Sequence, residues 1–284
     1  IKNTGQVEET QFEMVKKLEL TPQMHFQLIE HSNSKGIKFL STAFDLDSID
    51  LLVKLKVPFF KIPSGEITNY PYLIKVAKNF EKIIMSTGMA DMQEVKDCLD
   101  ILTSNGVKME NITILHCNTE YPTPMEDVNL KAMISIGEKL GVNVGYSDHT
   151  LGIEVPIAAV AMGAKVIEKH FTLDNKLPGP DHRASLEPNA LNDMVSAIRN
   201  IELAISGDGV KQPSKSEEKN RAIVRKSIHL KNDIKKEQII DEKDLCVLRP
   251  SYGITPMSWL DVIGKKANKD LYAGEFIKWE DIYE

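Results

Sequence analysis

The amino-acid sequence predicts an α/β protein, a (β/α)8 barrel followed by a small β-rich domain. Three observations carry that reading. Short β-branched runs alternate with amphipathic stretches from Ile37 onward. Polar residues gather at the C-terminal end of nearly every run, and the pattern changes character after Ser206.

The strand candidates are residues 37–44, 59–64, 82–87, 112–118, 142–147 and 166–172. Several are apolar at successive positions, as parallel strands covered on both faces require. Between them lie amphipathic segments such as 45–55, 91–104 and 130–140, with Asp45 and Asp91 placed to cap helix N-termini. Six runs are visible where a closed barrel needs eight strands. The first 36 residues read instead as loop and helix, over 12–20 and 22–34, ending at Gly36. Two strand–helix units are therefore expected upstream of Ile1, which leaves the barrel domain, residues 1–206, incomplete at its N-terminal side.

Helix 188–206 is followed by Gly207-Asp208-Gly209 and a polar stretch, so 207–224 reads as an exposed linker. Residues 225–284 carry short β-type runs (227–230, 245–248) between turn signals at Pro250, Gly253 and Gly274. A β-rich domain of that size lies near the lower limit for independent folding.

Composition narrows the function. The chain has 284 residues, 42% of them hydrophobic, enough to bury a sizeable core. Lys and Arg number 35 against 41 Asp and Glu, a net charge of −6, which argues against a broad nucleic-acid surface. No apolar run approaches the roughly 20 residues that span a bilayer, and no signal peptide opens the sequence. Cys98, Cys117 and Cys246 lack zinc spacing and cannot all pair with one another, which points to a reducing cytoplasm. A P-loop, Gly-x-Gly-x-x-Gly, His-Glu-x-x-His and Gly-x-Ser-x-Gly are all missing, so ATP, dinucleotide and common hydrolase chemistries lose support.

The polar strand ends carry the chemistry. His149 and His170 close two successive runs, and adjacent strands lie about 4.8 Å apart, so both imidazoles can meet at one point. Two neutral imidazoles can ligate Mn2+, Fe2+, Co2+ or Zn2+ and leave positions open for water and substrate. For either histidine alone, a hydrogen-bonded structural role is the competing reading. Lys61, Ser64, Ser86 and Ser147 end three strands, and an ammonium with hydroxyls can hold a phosphate or carboxylate. Tyr121 opens a stiff Tyr-Pro-Thr-Pro segment fit to carry a sugar or simply to turn. Pro178-Gly-Pro-Asp181 is a constrained loop presenting a carboxylate. Glu66 is either a general base or a helix cap. Glu168 and Lys169 read equally well as a solvated pair.

Seven strings, in order, resemble the sialic acid synthase family. They are Phe39-Leu-Ser-Thr-Ala-Phe44, Phe60-Lys-Ile-Pro-Ser-Gly-Glu66, Met85-Ser-Thr-Gly-Met89, His116 through Pro124, Gly145-Tyr-Ser-Asp-His-Thr150, Glu168-Lys-His-Phe-Thr172 and Pro178-Gly-Pro-Asp181. The last 60 residues look like that family's antifreeze-like (SAF) domain, with Arg249 in its Leu-Arg-Pro segment. The resemblance implies a TIM barrel plus SAF domain in a domain-swapped homodimer. It also implies condensation of phosphoenolpyruvate with an N-acetylated mannose-type sugar, releasing phosphate and giving a legionaminic or N-acetylneuraminic acid.

Carried over by position, His149 and His170 become ligands of a divalent metal, Mn2+ first, with Mg2+ or Co2+ as alternatives. Thr42, Lys61, Ser64, Ser86 and Ser147 face phosphoenolpyruvate, with help from Asn118 or Thr119. Glu66, Tyr121 and Asp181 face the sugar. Arg249 reaches from one subunit to the N-acetyl group in the partner's site. The family's Glu-Ile-Gly and Lys-Phe-Gln segments have no counterpart here, which removes an acidic residue near the metal, a phosphate-binding lysine and a sugar-binding glutamine. The segments around Glu66 and Pro180 look closer to legionaminic acid synthases, favouring 2,4-diacetamido-2,4,6-trideoxymannose over N-acetylmannosamine. The rival readings are another phosphoenolpyruvate–aldose condensing barrel and a truncated, non-catalytic ligand-binding protein.

Overall fold

Apolar residues at alternate positions turn five short runs into neighbouring parallel strands, each followed by a helix that packs back on them. The structure, a computed structural model, describes residues 10–179 and 181–284. Residues 1–9, and Pro180 of the Pro178–Asp181 loop, lie outside the described residues. The strands are β1 (Phe60–Ile62), β2 (Ile83–Ser86), β3 (Ile112–Cys117), β4 (Asn143–Asp148) and β5 (Ile167–Lys169). They hydrogen-bond in sequence order, all parallel. Such order, with a helix crossing between strands, is the repeating unit of the (β/α)8 pattern.

Among the described residues the parallel sheet has five strands, not six. Residues 37–44 run without a ladder partner. Their backbone is used elsewhere: Ile37 N donates to Ser32 O at 3.1 Å, and Ala43 O accepts the Tyr72 hydroxyl at 2.6 Å. Apolar alternation marks a segment that can be a strand; a ladder also needs a neighbour in register.

The helices of this part are α1 (Gln11–Leu18), α2 (Pro22–Ser34), α3 (Leu46–Leu55), α4 (Tyr70–Asn79), α5 (Met92–Ser104), α6 (Leu130–Leu140), α7 (Glu154–Ala161) and α8 (Pro188–Ala204). Asp45 caps α3 by accepting from Ser48 N, and Asp91 caps α5 in a box with Glu94. Gly141, at φ 66°, stops α6 in the left-handed conformation that a glycine adopts without strain.

Side-chain alternation sorts the strands into two faces. Phe60, Ile62, Ile83, Met85, Ile112 and Ile114 are fully buried in the main core, against α4 and α5 residues such as Leu73 and Leu99. Tyr146 and Ile167 extend this helix-facing layer over β4 and β5. By period two, Lys61, Ser86, Cys117, Ser147 and Glu168 all stand on the opposite face, at the C-terminal strand ends.

The chain clusters into two units with the division between Ser206 and Gly207. The second unit begins with α9 (Lys215–Val224), so ten residues of the segment read as linker are helical. A capping box explains it: Ser214 N and Oγ both donate to Glu217 Oε2, at 2.8 and 2.9 Å. The unit continues with β6 (Ser227–Leu230), β7 (Leu245–Leu248), α10 (Trp259–Val262), β8 (Lys266–Ala267) and β9 (Ile282–Tyr283). β6 pairs with β7 and β8 with β9, both antiparallel, around a core that includes Ile228, Ile240, Val262 and Ile277.

Candidate active site

The strand ends of β4 and β5 bring two imidazoles together. The His149 and His170 rings stand 5.2 Å apart between centroids, edge to face. His149 Nδ1 lies 2.5 Å from the backbone oxygen of Asn118, so this nitrogen carries the proton and donates. That leaves Nε2 with its lone pair, the tautomer a metal ligand needs. Burial holds the His149 pKa below the usual histidine range, opposed by the Asn118 hydrogen bond and reinforced by His170. His170 Nδ1 faces Asp181 Oδ2 at 3.7 Å.

Tyr121 completes this corner. Its ring stacks on His149 at 3.9 Å and meets His170 at 5.1 Å. The peptide bond to Pro122 is cis. Burial, then the nearby Asp181 carboxylate, raises the Tyr121 pKa well above the usual phenol value, so the hydroxyl keeps its proton.

A second group gathers beside it on the same face. Lys61 Nζ contacts Glu168 at 3.0 Å to Oε1 and 2.9 Å to Oε2. Glu168 Oε1 also accepts from Ser147 Oγ at 2.8 Å. Glu168 therefore does not pair with Lys169. Lys169 points the other way, to Asp148 Oδ2 at 2.6 Å, because adjacent residues of a strand face opposite sides. Neither residue belongs to a solvated pair.

Ser64 Oγ accepts from Gly88 N at 2.9 Å and lies 3.3 Å from Cys117 Sγ. A Cβ on Gly88 would fall 2.5 Å from Thr119 Cγ2 and 2.9 Å from Ser64 Oγ, so only glycine leaves this cradle open. Ser86 Oγ is buried and has no hydrogen-bond partner. An orphaned buried hydroxyl is costly, and an anion in the cradle would satisfy it.

The remaining predicted residues stand as follows. Asn118 Oδ1 is engaged by Glu120 N at 2.7 Å, whereas the Thr119 side chain lies beside Gly88. Glu66 Oε2 accepts from Asn69 Nδ2 at 2.5 Å, and Asn69 is the N-cap of α4, so Glu66 supports a helix start. Thr42 is half-buried in the unpaired segment before α3. Arg249, in the second unit, donates from Nε to Val224 O at 2.8 Å. Glu168 is the residue whose connections were least visible beforehand; its signal was the repeated pattern polar–charged–His in Ser147-Asp-His149 and Glu168-Lys-His170.

Among the described residues no group of three or more His, Cys, Asp or Glu side chains is arranged to hold a metal ion. The two imidazoles are neighbours with ring centroids 5.2 Å apart, and the His149 tautomer leaves an Nε2 lone pair that could bind a cation. No helix of the described residues is long and apolar enough to cross a membrane.

Residues 1–211 match the NeuB family, and residues 225–282 match the SAF domain. The chain belongs to the NeuB family. It is 54% identical over 271 residues to N,N'-diacetyllegionaminic acid synthase of Campylobacter jejuni, covering 95% of this chain and 81% of that protein. The Legionella pneumophila N,N'-diacetyllegionaminic acid synthase is 47% identical over 284 residues, covering 99% and 79%. The crystal structure of the N-acetylneuraminic acid synthetase of Leptospira borgpetersenii superposes with a TM-score of 0.68 at 33% identity, covering 75% of this chain and 74% of that one.

Proposed function

We propose that this NeuB-family chain is a phosphoenolpyruvate-dependent synthase of a legionaminic-type nonulosonic acid, with 2,4-diacetamido-2,4,6-trideoxymannose as acceptor. The observation that carries it is the juxtaposition, on one face, of the His149–His170–Tyr121 corner with the Lys61, Ser64, Ser86 and Ser147 cradle. The names of the two synthases at 54% and 47% identity support the sugar.

In the reaction, C3 of phosphoenolpyruvate bonds to the aldehyde carbon of the open-chain sugar. Water adds at C2, and cleavage of the C2–O bond frees phosphate and leaves the 2-keto acid. Lys61 supplies point-charge attraction to the phosphate or carboxylate, and the Ser64, Ser86 and Ser147 hydroxyls supply direction. Asn118, whose Oδ1 accepts from Glu120 N and whose Nδ2 can still donate, or Thr119, whose side chain lies beside Gly88, adds a donor to the phosphate. Thr42, half-buried before α3, adds a further hydroxyl for phosphoenolpyruvate. Tyr121 stays neutral and offers the sugar a ring face and a donor, while Glu66 and Asp181 present carboxylates to its hydroxyl and amide groups. His149 and His170 hold a divalent metal, Mn2+ before Mg2+ or Co2+, which supplies Lewis acidity at the aldehyde when bound.

The working enzyme is a domain-swapped homodimer in the cytoplasm, with Arg249 of one subunit reaching the acceptor's N-acetyl group in the other. Phosphate release measured with 2,4-diacetamido-2,4,6-trideoxymannose and with N-acetylmannosamine tests the function. Faster release with the diacetamido sugar is expected; a preference for N-acetylmannosamine overturns the choice of acceptor, and release with neither overturns the synthase reading.

A further inference from the structure

Behind the two imidazoles lies a buried ion pair that the reaction does not use. β4 and β5 are in register with Ser147 opposite Glu168 and Asp148 opposite Lys169. The first pair faces the substrate side. The second faces the helices, where the Lys169 and Asp148 side chains are 3% and 0% exposed. Asp148 Oδ2 accepts from Lys169 Nζ at 2.6 Å, and Oδ1 accepts from Thr150 N at 3.0 Å and Thr150 Oγ1 at 2.8 Å. Lys169 Nζ also donates to Thr150 O at 2.5 Å. Each member of this pair immediately precedes one of the two histidines.

We propose that Asp148 and Lys169 form a clamp that sets the separation of the His149 and His170 rings, as positioning residues for a divalent cation and not as its ligands. The inference rests on the two-histidine metal reading above. The clamp joins the strand ends at the last paired position, so the next residue on each strand inherits a fixed origin and direction. Thr150 extends the lock past His149, because Lys169 and Asp148 together hold its N–H, hydroxyl and carbonyl. His149 is thus bracketed on both sides by groups tied to the residue before His170. Neither clamp residue is free to ligate: the ammonium has no lone pair, and both carboxylate oxygens are taken by donors.

Isothermal titration with Mn2+ alone, and separately with phosphoenolpyruvate alone, reads the histidine corner and the anion cradle independently. In Asp148→Asn and Lys169→Met, the Mn2+ Kd is expected to rise about tenfold or more, with phosphoenolpyruvate binding changed by less than about twofold. The joint variant Asp148→Leu with Lys169→Met replaces the pair by apolar volume. It is expected to melt close to the parent temperature and yet keep the weakened Mn2+ Kd, because packing restores stability but not the lock. Parental Mn2+ affinity in any folded variant lacking the pair overturns the clamp. Should those variants fail to fold, Thr150→Val removes one donor to Asp148 at nearly constant shape. It is expected to weaken Mn2+ about threefold, and unchanged affinity there overturns the clamp equally. His149→Ala separates the two claims: unchanged Mn2+ binding in that variant removes the two-histidine reading itself, and the clamp with it.

Discussion

Glu168 holds Lys61 through both carboxylate oxygens, at 3.0 and 2.9 Å, while one of those oxygens also takes the Ser147 hydroxyl. One acidic side chain on β5 therefore orients a cation on β1 and a hydroxyl on β4 across the mouth of the sheet. The arrangement limits how far Lys61 can wander before substrate arrives, at the expense of placing a negative charge beside the proposed anion site.

Glu168→Gln separates these two effects. Loss of the charge favours the anion, and loss of the bidentate hold disfavours its orientation. The expected result is a phosphoenolpyruvate KM within about threefold of the parent and a kcat at least about tenfold lower. Steady-state phosphate release checks it. A large KM rise with unchanged kcat would make Glu168 a ground-state binding residue.

Ser86→Ala is expected to act with opposite signs on stability and binding. The hydroxyl has no partner in the free protein, so its removal relieves an unsatisfied buried group and leaves thermal stability equal or higher by about 1 kcal/mol. Phosphoenolpyruvate affinity is expected to fall at the same time, since the bound anion is the partner proposed for the hydroxyl. Thermal melts with and without phosphoenolpyruvate measure both; a parental ligand-induced shift would remove Ser86 from the cradle.

Gly88→Ala places a methyl group 2.5 Å from Thr119 Cγ2, 2.9 Å from Ser64 Oγ and 3.1 Å from Cys117 Sγ. Something must move. A destabilisation of about 1–3 kcal/mol is expected from overpacking. Phosphoenolpyruvate KM should rise by more than kcat falls, because the displaced groups line the proposed anion cradle. Denaturant melts and KM measurements test the pair of effects.

Much of this site was legible in residue order. A polar residue two positions before a strand-terminal histidine shares its face by period two, so Ser147 with His149 and Glu168 with His170 could be placed together without coordinates. The caps at Asp45 and Asp91 were equally readable, because an N-cap is a local feature of side chain and backbone. What could not be read depends on partners distant in sequence. Residues 37–44 carry strand-like alternation but spend their backbone on Ser32 and Tyr72. Glu168 and Lys169 look like a neighbouring ion pair, yet each finds its partner 107 or 21 residues away on another strand. The helix α9 is a different case: its Ser214–Glu217 box was present in the sequence, and polar composition hid it.

The proposed chemistry centres on two imidazoles sharing one cation beside an anion cradle. Titration of the metal-free protein with Mn2+, alongside His149→Ala and His170→Ala, tests it most directly. One site per chain is expected in the parent, with affinity reduced by two orders of magnitude or so, about 2.7 kcal/mol, in each single variant. Undiminished Mn2+ binding after loss of either ring would contradict it.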